Sequence, residues 1–225
     1  MNKVLLSGIV GSRAYGLHHP GSDYDRAAVH LRPTADFLGL KMPQLSEVHQ
    51  GQVGDDSTSH ELGKFLSLVL ACNPTASELL WLPEHCYETM TDEGRELLRM
   101  RSSFLYATGV RNAYLGYAHA QAKRVRREFA TDGRQEKAAR HTWRLAIAGI
   151  HLWETGELLV RLSETQRDAC VMFGKVVADG HHDVLDNLLA NAGSAFERST
   201  PLPENNVEAR DAADRWLRHV RTKNL

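Results

Sequence analysis

The sequence is poor in cysteine and has no long apolar run. Its three cysteines (Cys72, Cys86 and Cys170) lie far apart and form no C-x-x-C pair. This spacing argues against a zinc site or a disulfide framework and suits a reducing cytosol. No apolar window reaches the roughly 18 residues of a membrane-spanning helix, and the N-terminal apolar run is too short for a signal peptide. We therefore expect a soluble, cytoplasmic protein with no membrane partner.

An excess of charge of one sign is also missing. The formal net charge is -1 over 225 residues, and 42% of the residues are hydrophobic and 24% charged. This composition is ordinary for a globular protein, and the length suffices for one large domain or two modest ones. Since the whole molecule has no strong field to attract nucleic acid or a membrane, any basic surface must be local.

Strand-like patterns are confined to about the first 90 residues. Residues 3–10 are apolar and β-branched, which favours a strand, although the end of a helix fits the string as well. Residues 23–31 alternate and predict a strand with Asp23 and Asp25 on one face. Residues 44–53 predict a third extended element, and a helix is expected to begin near Thr58.

From about residue 92 the apolar spacing becomes helical. The predicted helices cover residues 92–107, 109–130, 135–155, 163–178, 181–193 and 207–221. We therefore predict an α+β fold, with a small mixed sheet in a catalytic domain over residues 1–90. An all-helical domain over residues 91–225 is expected to pack on the catalytic cleft.

The segment from Gly11 to Asp25 contains the residues that indicate chemistry. Two aspartates at i and i+2 on a strand project from the same face, where two carboxylates repel each other unless a cation lies between them. Hard divalent cations prefer such oxygen ligands. The upstream Gly11-Ser12 pair offers backbone N–H groups that a phosphate can approach without a blocking side chain. A phosphate-binding turn followed by a metal-binding strand is typical of nucleotidyl transfer.

This arrangement resembles the polymerase-beta superfamily of nucleotidyltransferases, and in particular its RNA-repair, RNA-ligase-associated branch. The resemblance rests on the stretches GSRAYGL and GSDYD in residues 11–25, DSTSHELGKF in 56–65 and NPTASELL in 73–80. Gly116-Tyr117, Gln121, Lys137, His141, Arg144 and Leu145 are similar to the helical half of that branch. One departure is Ala27-Ala28, where relatives often carry arginine and glycine, with an arginine one place earlier at Arg26.

The resemblance implies a two-metal mechanism, with three carboxylates that hold two Mg²⁺ (or Mn²⁺) ions. Asp23, Asp25 and Asp56 would be both the metal ligands and the catalytic residues, with Asp56 as the general base. From the residues alone, Asp55-Asp56 could equally cap the helix expected near Thr58. Asp55 and Glu47 remain substitutes for the third ligand.

The resemblance also implies nucleotide-binding residues, namely Gly11, Ser12, Arg13, Lys64, His141 and Arg144. Arg13 beside the turn could neutralise triphosphate oxygens or be an ordinary surface arginine. Tyr15 could stack on a base or pack against the sheet. His141 and Arg144 share a helix face at i, i+3 spacing and could reach the cleft, although a core histidine fits as well.

A local basic stretch lies between residues 119 and 144. Its cations are Lys123, Arg124, Arg126, Arg127, Arg134, Lys137, Arg140 and Arg144, against the acids Glu128, Asp132 and Glu136. Clustering of this kind is expected for a site that binds a polyanion, although a charged helix face is often only solvated. We predict that Lys123, Arg124, Arg126 and Arg127 bind RNA.

These observations predict an enzyme that transfers a nucleoside monophosphate from an NTP to an RNA 3′ end, such as that of a tRNA, and releases pyrophosphate. Two alternatives use the same chemistry. One is the transfer of AMP to a protein side chain, as in toxin-associated members of the superfamily. The other is modification of a small molecule. A degenerate binding module is disfavoured because all the signature residues are present.

Overall fold

The computed structural model describes residues 2–50, 56–128 and 134–224, without the side chains of Arg127 and Glu128. The strands are β1 (Lys3–Val10), β2 (Asp25–Leu31), β3 (Ser46–His49), β4 (Ser57–Glu61) and β5 (Tyr87–Met90). The helices are α1 (Gly11–Tyr15), α2 (Leu62–Leu70), α3 (Pro74–Leu80), α4 (Asp92–Met100), α5 (Ala107–Glu128), α6 (Arg134–Thr155), α7 (Glu164–Ala178), α8 (Asp183–Ala195) and α9 (Val207–Thr222). Short 3-10 turns cover Thr34–Phe37, Glu84–Cys86 and Arg101–Phe104. This arrangement confirms the predicted α+β class.

The five strands form one mixed sheet in the order β3-β4-β2-β1-β5. β1 pairs with β2 and β5 in antiparallel orientation, whereas β2 and β4 are parallel. The central strands bury Leu5, Leu6 and Val29 completely. Apolar residues of β1 and β2 thus supply the core, whereas the polar residue Asp25 stands at the end of its strand.

Helix α2 packs on this sheet through an apolar stripe. Leu62, Phe65, Leu66 and Val69 recur at helical spacing and are buried. Such an i, i+3, i+4, i+7 pattern places the four side chains on one face. The Glu61 side chain caps the helix by accepting a hydrogen bond from the Gly63 N–H at 2.7 Å.

The helix expected to begin near Thr58 is present but begins later, at Leu62, because Ser57–Glu61 is strand β4. Pairing with β2 on one side and β3 on the other satisfies the backbone of this short polar segment, and tertiary pairing overrides local propensity. The second strand is also shorter than predicted, since it begins at Asp25 and leaves Asp23 in the preceding loop. Strand β5 was not predicted.

The chain divides into two compact units, Met1–Leu105 with Asn206–Leu225, and Tyr106–Asn205. Within the first unit, an ion pair of 2.9 Å between Arg221 of α9 and Glu61 of β4 connects this helix to the sheet. The functional division at residue 90, and the packing of the helical domain on the catalytic cleft, stay predictions.

The second unit is built on helices α5 to α8. Its core contains Ala118, Ala122, Val125, Ala139, Val177, Leu185 and Leu189. Gly149 of α6 faces Tyr114 of α5 so closely that a β-carbon there would lie 2.8 Å from the Tyr114 Cβ. This contact places the first half of α5 beside the second half of α6. The same core joins Val125 near the end of α5 with Ala139 near the start of α6, so the two helices run antiparallel. Among the described residues, no helix has the length and apolarity needed to cross a membrane.

Candidate active site

Gly11 and Asp25 meet at one end of the sheet. Val10, the last residue of β1, pairs with Asp25, the first residue of β2. Gly11 follows with a φ of +68°, and a β-carbon on it would lie 2.3 Å from the Asp25 Oδ2. The left-handed backbone favours glycine here, and a β-carbon would also force the Asp25 carboxylate or the turn to move. The structure thus brings together two of the predicted site residues, with Ser12 as the next residue of α1.

Asp23 lies in an exposed loop that Arg13 holds in place. The Arg13 Nη2 donates a hydrogen bond of 2.7 Å to the Ser22 carbonyl oxygen, and its Nε donates one of 3.1 Å to the Asp23 carbonyl oxygen. The guanidinium also lies 3.5 Å from the centre of the Tyr24 ring, a cation–π contact. Arg13 is therefore a positioning residue for the loop, a role that neither sequence-based interpretation contained.

Asp56 lies on the segment that runs beside Asp25 in the sheet. Strand β4 runs parallel to β2, with Arg26 opposite Ser57, and the Arg26 N–H donates a hydrogen bond of 2.8 Å to the Asp56 carbonyl oxygen. Asp56 is exposed and directly precedes strand β4. Since the predicted helix cap does not exist there, the alternative structural role of Asp56 is removed.

The two substitutes for Asp56 are less well placed. Glu47 accepts a hydrogen bond of 2.8 Å from the Asn2 side chain and lies 3.7 Å from the Arg32 guanidinium. Asn2 precedes β1 and Arg32 follows β2, and both lie at the end of these strands that is farther from Asp25. Glu47 therefore lies at the end of the sheet away from Asp25. Asp55 lies outside the described residues.

The residues described by the structure contain no group of three histidine, cysteine, aspartate or glutamate side chains arranged to hold a metal ion. The convergence of Asp23, Asp25 and Asp56 on a cation therefore stays a prediction. The backbone brings these residues close together, because Asp25 is the first residue of β2, Asp56 directly precedes the neighbouring strand β4, and Asp23 lies two residues before Asp25.

Lys64 is not brought to this end of the sheet. β4 leads the chain away from Asp56 for five residues, or about 16 Å at the usual rise of a strand, and Lys64 lies in the first turn of α2 beyond it. Its charge acts instead on His60, whose pKa is lowered mainly by burial and further by Lys64.

His141 and Arg144 lie together in the second unit, as their spacing predicts. The Arg144 Nη2 is 3.4 Å from the His141 Nδ1, and Arg144 is only 3% exposed. Burial, together with the cations Arg144, Arg124 and Lys137, lowers the pKa of His141 to about 4. One cluster therefore joins three cations and a neutral histidine from α5 and α6.

The residues of the basic stretch predicted to bind RNA contact different parts of the second unit. Arg124 acts on His141, whereas Arg126 forms an ion pair of 2.7 Å with Asp186 of α8. Two positions apart on a helix point in very different directions. Lys123 is exposed, and the side chain of Arg127 lies outside the described part. Binding of RNA by these residues stays a prediction.

Two further contacts of the first unit were missed from the sequence. The Tyr15 hydroxyl donates a hydrogen bond of 2.6 Å to the Glu78 Oε2, and Glu78 is buried. Arg26, the arginine next to Asp25, forms a 3.0 Å ion pair with Glu88 of β5. Tyr15 thus connects α1 with α3 and is not free to stack on a base without losing this bond. The only sequence signal for Glu78 was its position in the stretch NPTASELL.

Comparison with known proteins agrees with this geometry. A family model described as RlaP, the RNA repair pathway DNA polymerase beta family, matches residues 1–172. The matched region contains the whole sheet, the Gly11 and Asp25 contact, and helices α5 and α6. No curated protein matches the chain.

Proposed function

Because the chain belongs to the RlaP family, the RNA repair pathway DNA polymerase beta family, we propose that it is a nucleotidyltransferase that extends an RNA 3′ end. The 3′ oxygen of the RNA forms a bond with the α-phosphorus of an NTP, and the bond from that phosphorus to the bridging oxygen of the β-phosphate breaks. Pyrophosphate leaves with that oxygen. The observation that carries the proposal is the close approach of Gly11 to Asp25 at the end of β1 and β2.

The carboxylates at this end suit a hard divalent cation. Asp23, Asp25 and Asp56 would hold it, because carboxylate oxygens are the ligands that Mg²⁺ and Mn²⁺ accept. When bound, the ion would neutralise charge on the triphosphate and lower the pKa of the attacking hydroxyl. The proposal is supported by the exposure of Asp23, in the loop before Asp25, and of Asp56, next to the neighbouring strand, whereas Asp25 is half-buried.

Residues of the chain would accept the proton, bind the phosphates and position the metal-binding loop. Asp56 would accept the proton of the 3′ hydroxyl, as a general base within reach of the Asp25 strand. Gly11, which has no side chain of its own, would let phosphate oxygens approach the backbone N–H groups of Gly11 and Ser12. Arg13 would keep the loop of Asp23 in one conformation through its two carbonyl contacts, which reduces the entropy lost when the reactants are aligned.

The test is an acceptor screen with each labelled NTP and either Mg²⁺ or Mn²⁺. We expect label on an RNA with a free 3′ hydroxyl and none on the same RNA that ends in a 3′ phosphate. Asp25→Asn should abolish transfer. The matched control is Asp36→Asn, since Asp36 is an exposed aspartate of the same unit that pairs with Arg32 at 3.3 Å.

Each other outcome of the screen contradicts the RNA proposal. Label on added protein in place of RNA would establish the transfer of AMP to a side chain, and label on a small hydroxyl compound would establish that class of acceptor. If Asp25→Asn were as active as the unaltered protein, the assignment of the site would be wrong whatever the acceptor.

A further inference from the structure

Strand β3 leaves one side of its backbone at the surface, because it is the edge strand of the described sheet. We propose that this edge is the contact surface of a homodimer, in which β3 pairs in antiparallel orientation with β3 of a second copy of the chain. The two sheets would then continue into each other across a two-fold axis beside Val48. The pairing needs neither metal nor nucleotide and lies outside the proposed transfer reaction.

The hydrogen bonds between β3 and β4 determine which backbone groups of β3 face outward. The Glu61 N–H donates a hydrogen bond of 2.8 Å to the Leu45 carbonyl oxygen, in the antiparallel register of the two strands. In such a pair, every second residue directs both its N–H and its C=O to the neighbouring strand. Leu45 and every second residue after it therefore face β4, whereas Ser46 and Val48 present their backbone groups at the outer edge.

The usual protection of an edge strand is weak here. Natural edge strands often carry lysine, proline or a bulge, but the segment Ser46–His49 contains neither residue and pairs with β4 in an unbroken register. The Glu47 carboxylate already accepts a hydrogen bond from Asn2 and lies 3.7 Å from the Arg32 guanidinium. Its charge therefore stays compensated when another strand covers the edge.

Exposed aliphatic side chains occur in the same segment. Val48 is 62% exposed, and Leu38, Leu40 and Met42 are exposed in the connection that leads into β3. The other large exposed apolar side chains of the described residues are scattered along the chain, at Val4, Tyr24, Tyr117, Met172 and Val207. A concentration of exposed apolar side chains marks a contact surface, because covering it removes apolar area from water.

The side chains of β3 select one register for the pairing. A two-fold axis beside Glu47 would place two glutamates directly opposite each other, which destabilises a sheet. An axis beside Ser46 would use a carbonyl oxygen that already accepts a hydrogen bond of 2.7 Å from the Gln44 side chain. An axis beside Val48 pairs valine with valine and places Glu47 opposite His49 of the second copy, where the imidazole can donate to the carboxylate. The Val48 N–H of each copy then donates to the Val48 carbonyl oxygen of the other.

Antiparallel pairing would keep the two active sites apart. Asp25 begins β2, and Asp56 directly precedes β4, which runs parallel to β2. Because the two-fold axis reverses the strand direction, this end of the strands in one copy points away from the same end in the other. Each site would therefore act independently, and Asp25→Asn should abolish transfer while the protein remains a dimer. The dimer and the proposed transfer can thus fail separately.

The first experiment measures the mass of the protein by light scattering during gel filtration over a range of concentrations. We expect the unaltered protein to be a dimer. Val48→Lys and Val48→Glu should each weaken dimerisation at least about tenfold, since each places like charges opposite each other at the axis. An equimolar mixture of the two variants should restore dimers, because the mixed pair places opposite charges there. Met172→Lys, at a 61% exposed position of α7, is the control and should stay dimeric.

Cross-linking tests the register directly. Opposite residues of a hydrogen-bonded pair have their Cα atoms about 5.5 Å apart, within the range that a disulfide spans. The native cysteines Cys72, Cys86 and Cys170 are buried, so they should not react. Val48→Cys should therefore form a covalent dimer on mild oxidation or with a short bis-maleimide, whereas Met172→Cys should not.

Several results would overturn the proposed dimer. They are a monomer at every concentration, a dimer that survives both Val48→Lys and Val48→Glu, and equal cross-linking of Val48→Cys and Met172→Cys. A monomer whose β3 edge pairs with an extended peptide of another protein would contradict the second copy as occupant. Restoration of dimers in the mixture also excludes misfolding as the reason for the monomers, because misfolded chains would not form the mixed pair; two folded variants that stay monomeric when mixed would contradict the register.

Discussion

The Asp25 carboxylate lies against the backbone of Gly11, at a distance that leaves no room for a β-carbon. Replacement by even the smallest side chain must therefore move either the turn or the carboxylate. We expect Gly11→Ala to lower the transfer rate at least about tenfold and stability by about 1–2 kcal/mol, because alanine is strained at a positive φ. Gly39→Ala, where a β-carbon would meet nothing, is the control for thermal unfolding and activity.

Arg13 stabilises the loop of Asp23 by contacts that lysine cannot reproduce, since a single ammonium cannot reach two carbonyls and also stack on Tyr24. We expect Arg13→Lys to reduce the transfer rate about tenfold or more while stability changes by less than about 1 kcal/mol. Single-turnover kinetics would measure the loss. Unchanged kinetics would show that the loop needs no support, and Arg218→Lys, at an exposed pair with Asp214, serves as the control.

Asp56→Asn distinguishes the candidates for the third carboxylate. Because amide oxygen is a weaker ligand and cannot accept the proton, we expect a loss of about a hundredfold or more in transfer. Glu47→Gln should retain activity, since Glu47 lies at the opposite end of the sheet. Asp55→Asn measured alongside would identify Asp55 as the ligand if it lost more activity than Asp56→Asn.

The ion pair between Arg221 and Glu61 attaches α9 to the sheet unit, and Glu61 is 1% exposed. Arg221→Met would leave a buried carboxylate without its cation, so we expect a loss of about 3–5 kcal/mol in the free energy of unfolding. Adding Glu61→Gln should recover part of it. Urea unfolding measures both changes; a loss below about 1 kcal/mol would contradict the role of the pair.

Stability should also depend on pH through His141. Its pKa of about 4 in the folded protein lies below the ordinary 6.5, so the unfolded chain binds more protons below that pH. The contribution to stability is complete above about pH 6.5 and is lost as the pH falls toward 4, up to about 3 kcal/mol. Urea unfolding across this range should show a flatter profile for His141→Gln than for the exposed-histidine control His18→Gln.

Local pattern was sufficient wherever the signal came from residues close in sequence. The strand at Lys3–Val10, the helices from Asp92 onward and the spacing of Gly11 from the two aspartates could all be read from periodicity and turn residues. Periodicity failed at Ser57–Glu61, where a polar segment forms a strand only because β2 and β3 lie on either side of it.

The sequence by itself determined the α+β class, the helical second half and the presence of nucleotidyltransferase signature residues, because these depend on neighbours within a few positions. The tertiary structure decided which residues meet. A parallel strand pairing placed Asp56 beside Asp25. Arg13 donates hydrogen bonds to the loop that contains Asp23, and Arg124 and Arg126 point in different directions from one helix. Such contacts join residues that are distant along the chain or face different directions, and only the folded backbone brings them together or apart.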